Sequence, residues 1–122
     1  MIKQLLLVGI GGGLGSIFRY LTSQLTAKYY VGTFPLATFI TNILGCLIIG
    51  ILIGYFSHNN TDSNLKLLFI TGFCGGYTTF STFAAENISL LQNQNYLTLI
   101  AYTLASVLVG FLAVGLGLML SK

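Results

Sequence analysis

The sequence predicts an all-α membrane protein with four transmembrane helices, and its composition, its long uncharged runs and its short connections all indicate this class. Hydrophobic residues make up 55% of the 122 positions, charged residues only 6%, and the mean hydropathy is +0.89. Soluble domains carry about a quarter charged residues. Because so few charges cannot cover a water-facing surface, we expect a multi-pass integral membrane protein that forms one domain over residues 1–122.

The predicted helices follow the uncharged runs. Residues 34–56 and 97–120 carry no charge. A helix needs about 20 apolar residues to cross a bilayer core, and each of these runs is longer than that. A third run covers 67–85, and a first run, 4–27, is interrupted only by Arg19. The connections are predicted around 28–33, 57–66 and 92–96.

The few charges give only a weak orientation signal. With the N-terminus inside, Lys3, Lys66 and Lys122 face the cytoplasm and Lys28 faces out, with Arg19 nearby. A positive-inside bias this small allows insertion in both orientations. The start MIKQLLLVGI has the hydrophobicity of a signal peptide, but no A-x-A-like cleavage site follows, so we expect a retained helix.

A glycine-rich segment near the N-terminus, LLLVGIGGGLGS (5–16), could suggest a phosphate-binding loop. It contains neither GxGxxG nor GK[ST], which excludes the nucleotide-binding motifs. Gly9 and Gly13, and likewise Gly11 and Gly15, instead have the small-xxx-small spacing that lets helices approach closely in lipid. The same spacing recurs at Gly50 and Gly54 and at Ser106 and Gly110.

The segment GFCGGYTTFSTF (72–83) places a glycine pair and several hydroxyls inside the third apolar run. Each glycine weakens a helix by about 1 kcal/mol relative to alanine, so Gly75-Gly76 predicts a break near the middle of this helix. In hydrocarbon, the freed carbonyls need protein, water or an ion as a partner. Freed carbonyls suit a hard cation, although a simple packing kink would also explain the glycines.

Polar side chains share a face on each of three predicted helices, three or four residues apart. These pairs are Thr38 and Asn42, Thr79 and Thr82, and Tyr102 and Ser106. Phe80 and Phe83 form an adjacent stripe. Hydroxyls and amides donate hydrogen bonds, and a phenyl ring is positive at its edge. The combination favours a small desolvated anion, although each side chain taken singly also fits ordinary packing.

Titratable groups are scarce within the predicted spans. Glu86 is the only acid there and lies at a margin, so proton-coupled transport, which needs a deep carboxylate or histidine, is not expected. Arg19 either extends to the headgroups or places a positive charge at the mouth of an anion pathway. Cys46 and Cys74 are interpreted as small residues that pack between helices, not as a disulfide or a metal site. Without a nucleophile–base pair or a metal-ligand cluster, we expect no enzyme.

The segments GGGLGSIFRY (11–20), TNILGCLIIG (41–50) and GFCGGYTTFSTF (72–83), with Tyr102 and Ser106, together resemble the Fluc (CrcB-type) fluoride channels. The resemblance covers nearly the whole chain, and the block GxxGGYTTFSTF is specific. It implies an antiparallel, dual-topology homodimer with two fluoride pores, in which the broken third helices cross at the dimer centre. It also implies passive fluoride export across a membrane, which would be the inner membrane in a bacterial cell.

The resemblance also implies roles for particular residues. Backbone carbonyls of Gly75 and Thr78 would hold a structural sodium ion between the two chains. Phe80 and Phe83 would turn their ring edges toward fluoride. The remaining residues of the implied fluoride pathway are Asn42, Arg19, Tyr102, Ser106, Thr38, Thr79, Ser81 and Thr82.

Two other functions remain open at the level of sequence. A small dual-topology multidrug exporter would need Glu86 as the carboxylate that binds a cationic substrate. A non-transporting membrane assembly subunit would need only the small-xxx-small spacings.

Overall fold

The computed structural model describes residues 1–60 and 62–122, and these residues are helical apart from short connections. Thr61, within the predicted 57–66 connection, lies outside the described residues. The helices are α1 (Ile2–Tyr29), α2 (Leu36–His58), α3 (Ser63–Lys66), a π-helical segment (Leu67–Cys74), α4 (Gly75–Tyr77), α5 (Phe80–Gln92) and α6 (Tyr96–Leu120).

Three of these helices, α1, α2 and α6, are long and apolar enough to cross a membrane. Helices α2 and α6 correspond to the uncharged runs, and α1 corresponds to the run interrupted by Arg19. Apolar runs of this length bury in hydrocarbon as helices, which satisfy their own backbone hydrogen bonds. The prediction of an all-helical multi-pass membrane protein is confirmed, with no strand in residues 1–60 and 62–122.

The fourth predicted crossing is assembled from shorter pieces. Residues at both junctions around the π-helical segment keep right-handed helical dihedrals, so the chain from α3 through α4 is continuous. It then breaks at Thr78 and Thr79, whose φ and ψ values are −87°, 160° and −151°, 121°. Helix α5 starts immediately afterwards.

The break therefore lies just beyond the glycine pair that was expected to cause it. Gly75 has helical dihedrals of −62° and −36°, and α4 continues through Tyr77. Glycine serves close packing here, because a Cβ on Gly76 would lie 2.3 Å from the carbonyl oxygen of Gly12 in α1. The prediction of a broken helix holds in part, while the prediction that the glycines themselves unwind it was wrong.

Close helix contacts position the break within the bundle. A Cβ on Gly11 would lie 2.2 Å from the Leu68 carbonyl oxygen, and one on Gly15 equally close to that of Phe73. Helix α1 thus packs directly on the backbone of the π-helical segment, as the spacing of Gly11 and Gly15 predicts. Helices α2 and α6 approach in the same way, since a Cβ on Gly50 would lie 2.3 Å from the Val114 carbonyl oxygen. The spacing of Gly9 and Gly13 does not mark such a contact, because a Cβ on either would meet nothing within 4 Å.

Candidate functional site at the helix break

Asn42 of α2 holds the break through two hydrogen bonds to one residue. Its Oδ1 accepts from the Thr79 backbone N–H at 2.8 Å, and its Nδ2 donates to the Thr79 carbonyl oxygen at 3.2 Å. One amide therefore replaces helical hydrogen bonds that Thr79 loses in its extended conformation. This matters in a membrane, where an unpaired backbone group costs several kcal/mol.

Arg19 of α1 holds the other side of the break. Its Nε donates to the Gly76 carbonyl oxygen at 3.1 Å. One turn further along α1, the Thr22 and Tyr77 hydroxyl oxygens lie 3.0 Å apart. Arg19, which the sequence placed either at the headgroups or at the mouth of a pathway, is half-buried against the broken helix.

The backbone carbonyls of Gly75 and Thr78, which the resemblance gives as cation ligands, lose the N–H donors that a continuous helix would provide. The Thr79 N–H that would bond to the Gly75 carbonyl goes to Asn42 instead. Likewise, the Thr82 N–H that would bond to the Thr78 carbonyl goes to Thr79 Oγ1 at 3.3 Å, which caps α5. The break thus frees both carbonyls and provides no helical replacement for either.

A cavity of about 470 Å³ lies beside the break between α2, the broken helix and α6. Its polar lining includes Asn42, Thr79 and Ser106, and its aromatic lining is Phe80 and Phe83. Apolar side chains form much of the remaining wall, so the cavity is mostly apolar with a few polar groups. No acidic or basic side chain lines it.

Hydroxyl groups cluster at the start of α5. Thr79 Oγ1 donates to Thr82 Oγ1 at 3.1 Å, and Ser81 Oγ lies 3.4 Å from Thr79 Oγ1. The three residues predicted from the motif are therefore brought together, although Ser81 is exposed.

Glu86 connects two of the three other predicted hydroxyl residues, Thr38 and Tyr102. Its Oε2 accepts from Thr38 Oγ1 and its Oε1 from Tyr102 Oη, both at 2.8 Å. The sequence left the role of Glu86 open, because Thr38 and Tyr102 lie on two other helices. The spacing on any one helix could not have shown this contact.

Aromatic rings join this group to the cavity. The Phe83 and Tyr102 ring centroids are 5.0 Å apart, and those of Phe80 and Phe83 are 5.9 Å apart. Ser106 Oγ is buried and has no hydrogen-bond partner within residues 1–60 and 62–122. Phe80, Phe83 and Tyr102 thus form a row of rings that ends at the Glu86 carboxylate. Arg19 bonds to Gly76 on α1's side of the break and is not among the residues that line the cavity.

Comparison with known proteins identifies the family. The family described as CrcB-like protein, Camphor Resistance (CrcB), matches residues 6–118. The chain belongs to the CrcB family. Its similarity to curated relatives extends over nearly the full length of both chains.

Three relatives illustrate this similarity, and each is named a fluoride-specific ion channel FluC. The protein of Azobacteroides pseudotrichonymphae is 50% identical, over 100% of this chain and 98% of its own length. The protein of Flavobacterium psychrophilum is 49% identical, over 99% and 98%. The protein of the more distant Ignicoccus hospitalis is 43% identical, over 95% and 93%.

Family membership agrees with the membrane architecture and with the expectation that the chain is not an enzyme, because the curated relatives are named as channels. Among the described residues, no group of three or more His, Cys, Asp or Glu side chains could hold a metal.

Proposed function

We propose that this chain is a fluoride-selective channel that lets fluoride leave the cell passively. The cavity beside the break carries this proposal, because it combines neutral donors with phenyl rings and has no charged side chain in its lining. Fluoride is small and strongly hydrated, so a pathway must replace its water with donors without trapping it. The printed names of the curated relatives support the same substrate.

Asn42, Ser106, Phe80 and Phe83 form the proposed pathway through the cavity. Ser106 offers a hydroxyl that has no hydrogen-bond partner among the described residues. The phenyl rings present positive edges, which stabilise an anion through the ring quadrupole.

Glu86 limits how the next two hydroxyls act. Thr38 and Tyr102 both donate to this carboxylate, so fluoride must compete with Glu86 for their protons. The same contacts occupy both carboxylate oxygens. They therefore disfavour a drug exporter, which requires a carboxylate that is free to bind a cation.

A second copy of the chain completes the proposed pore. Phe80 is 79% exposed although it belongs to the cavity, so its ring needs a covering surface. A Cβ on Gly75 would meet nothing within 4 Å, which leaves open space in front of the break. Near-balanced charges allow the two copies to insert in opposite orientations, as an antiparallel homodimer.

A structural sodium ion fits the freed carbonyls of Gly75 and Thr78. Unwound backbone carbonyls are typical ligands for sodium within membranes. Two oxygens from one chain are too few for a full shell, so the proposed site lies at the dimer centre and uses the same carbonyls from both copies. The Asn42 amide oxygen keeps the Gly75 carbonyl available by accepting the Thr79 N–H, and Thr79 Oγ1 keeps the Thr78 carbonyl available by accepting the Thr82 N–H.

Growth in fluoride tests the proposed export. The chain would be expressed in a bacterial strain that lacks its own fluoride exporter, beside an empty vector and a Phe83→Ile variant. We expect the wild-type chain to restore growth at fluoride concentrations that stop both controls. Equal growth of all three strains, with the wild-type protein present in the inner membrane, would contradict export.

A further inference from the structure

Asn87 carries a buried polar atom that the pathway described so far does not use. Its Oδ1 is buried and has no hydrogen-bond partner in residues 1–60 and 62–122. Buried amide oxygens in folded proteins are nearly always bonded, if not to protein then to water or a ligand. An orphan of this kind therefore indicates a bound group that the chain itself does not provide.

The position of Asn87 places it directly beyond the proposed pathway. It follows Phe83 by four residues on α5 and precedes Leu90 by three, so the three side chains share one face of the helix. Asn87 also follows Glu86, which bonds to Thr38 and Tyr102. At 1.5 Å per residue, Asn87 lies about 6 Å further along α5 than Phe83.

A second cavity, the amide bowl, opens at the end of this face. It has a volume of about 590 Å³ and lies where α5 ends and α6 begins, against the connection between α1 and α2. Its lining is Thr33, Ser89, Leu90, Asn93, Gln94 and Asn95. This lining contains five neutral polar side chains and no charged one.

The chemistry of the amide bowl matches a passage for an anion. Amide and hydroxyl groups donate hydrogen bonds to an anion and also accept from its water. Since no positive charge lies in the bowl, an anion would pass without being held tightly. Leu90 lines the bowl and shares the helix face of Asn87, so the bowl lies at the end of the face that carries the unpaired amide, although Asn87 itself is not among its lining residues.

We propose that Asn87 and the amide bowl form a mouth of the pore at the α5–α6 end of each chain, where Asn87 binds partly hydrated fluoride. Its Nδ2 donates to the ion, and its Oδ1 accepts from a water that accompanies the ion. The mouth rehydrates fluoride between the phenyl rings and bulk water. This inference rests on the proposed fluoride transport and adds a site to it.

The first test replaces Asn87 in protein reconstituted into liposomes. Asn87→Asp keeps the shape but adds a negative charge at the proposed site, and we expect fluoride efflux to fall about tenfold or more. Asn87→Leu removes the polar group at similar size and should also slow efflux. Asn87→Ser keeps a hydroxyl and should retain more flux than Asn87→Leu. The matched control is Asn60→Asp, an exposed amide that does not line the amide bowl.

The second test uses the assembled channel, so it does not depend on how a charged variant folds. Asn93→Cys in the amide bowl would be labelled on both sides of the membrane, either with an anionic or with a cationic methanethiosulfonate. We expect the anionic label to slow efflux about twofold or more relative to the cationic one, because it repels fluoride at the mouth. Asn60→Cys and the labelled wild-type chain, with its Cys46 and Cys74, are the controls.

The outcomes separate the two proposals. The proposed mouth would be contradicted, and the channel would not, if the wild type shows normal efflux and the two labels have equal effects at Asn93→Cys. The same holds if Asn87→Asp and Asn87→Leu both keep full efflux. A wild-type dimer that moves no fluoride would overturn both. A charge effect at Asn93→Cys that is absent at Asn60→Cys supports the mouth.

Discussion

Asn42 shows at the scale of single residues how one side chain can combine two roles. It lines the cavity and also bonds to both the N–H and the carbonyl of Thr79. Asn42→Asp keeps the acceptor but places a carboxylate oxygen against the Thr79 carbonyl and a negative charge on the cavity. We expect fluoride efflux from liposomes to fall about tenfold or more, because the charge repels fluoride in a mostly apolar cavity.

The control for this variant is Gln4→Glu, which adds the same charge at an exposed position near the start of α1. Its efflux should equal that of the wild type. If Asn42→Asp in a folded dimer also matched the wild type, Asn42 would not lie on the pathway.

Phe83 tests the contribution of the ring edges. Its ring packs on Tyr102, with the centroids 5.0 Å apart, and it lines the cavity. Phe83→Ile keeps an apolar side chain but removes the quadrupole, so we expect fluoride efflux to fall severely while the dimer persists. Phe69→Ile, a half-exposed position that does not line this cavity, should leave efflux unchanged. Equal efflux from the two variants would show that the Phe83 ring is not required.

At the scale of helices, the close packing of α1 on the broken helix is expected to contribute to the stability of the fold. A Cβ at Gly76 would lie 2.3 Å from the Gly12 carbonyl oxygen, whereas one at Gly13 meets nothing within 4 Å. Gly76→Ala should therefore lower the free energy of unfolding by about 1–3 kcal/mol through overpacking. Gly13→Ala should be neutral, or stabilising by up to about 1 kcal/mol.

Unfolding of the two variants in detergent, followed by circular dichroism, measures this difference. Equal free energies of unfolding for Gly76→Ala and Gly13→Ala would mean that α1 and the broken helix can move apart with little loss of stability. The close contact would then not be needed to position the site.

The elements also show what the sequence can and cannot predict. Apolar runs predicted α1, α2 and α6, because the length of an apolar run and the need for internal backbone bonds leave few alternatives. The position of the break could not be read in this way. Two glycines weaken a helix by about 2 kcal/mol, but contact between Gly76 and α1 keeps them helical. The break occurs where Asn42, distant in sequence, supplies replacement bonds to Thr79.

The same limit applies to the site. The motif correctly predicted that the Thr79, Ser81 and Thr82 hydroxyls lie together, because these residues are close in sequence. The role of Glu86 required knowing that α2 and α6 bring Thr38 and Tyr102 to one carboxylate. Local spacing contains no information about such contacts.

The proposed dimer and its sodium ion belong to the scale of the whole molecule. Because Gly75 faces open space within one chain, Gly75→Ala should be harmless to a monomer but should weaken a dimer whose centre lies there. We expect a larger monomer fraction by size-exclusion chromatography in detergent. The control is Gly115→Ala in α6, where an added Cβ also meets nothing within 4 Å. An unchanged oligomeric state in Gly75→Ala would contradict a dimer centred on the break.

Sodium removal tests the carbonyl site directly. Replacing sodium with N-methylglucamine, a cation too large for a cage of carbonyls, should abolish fluoride efflux, and returning sodium should restore it. Thr78→Ser should keep the sodium dependence, because it retains the backbone carbonyl. Undiminished efflux without sodium would argue against a required ion.

Fluoride efflux from liposomes containing the purified wild-type protein tests the central claim most directly. A fluoride electrode would follow release after a potassium ionophore is added, with chloride release measured in parallel. Rapid fluoride release with little chloride release is the predicted result. No release of either ion from a folded dimer, or equal release of both, would contradict a fluoride-selective channel.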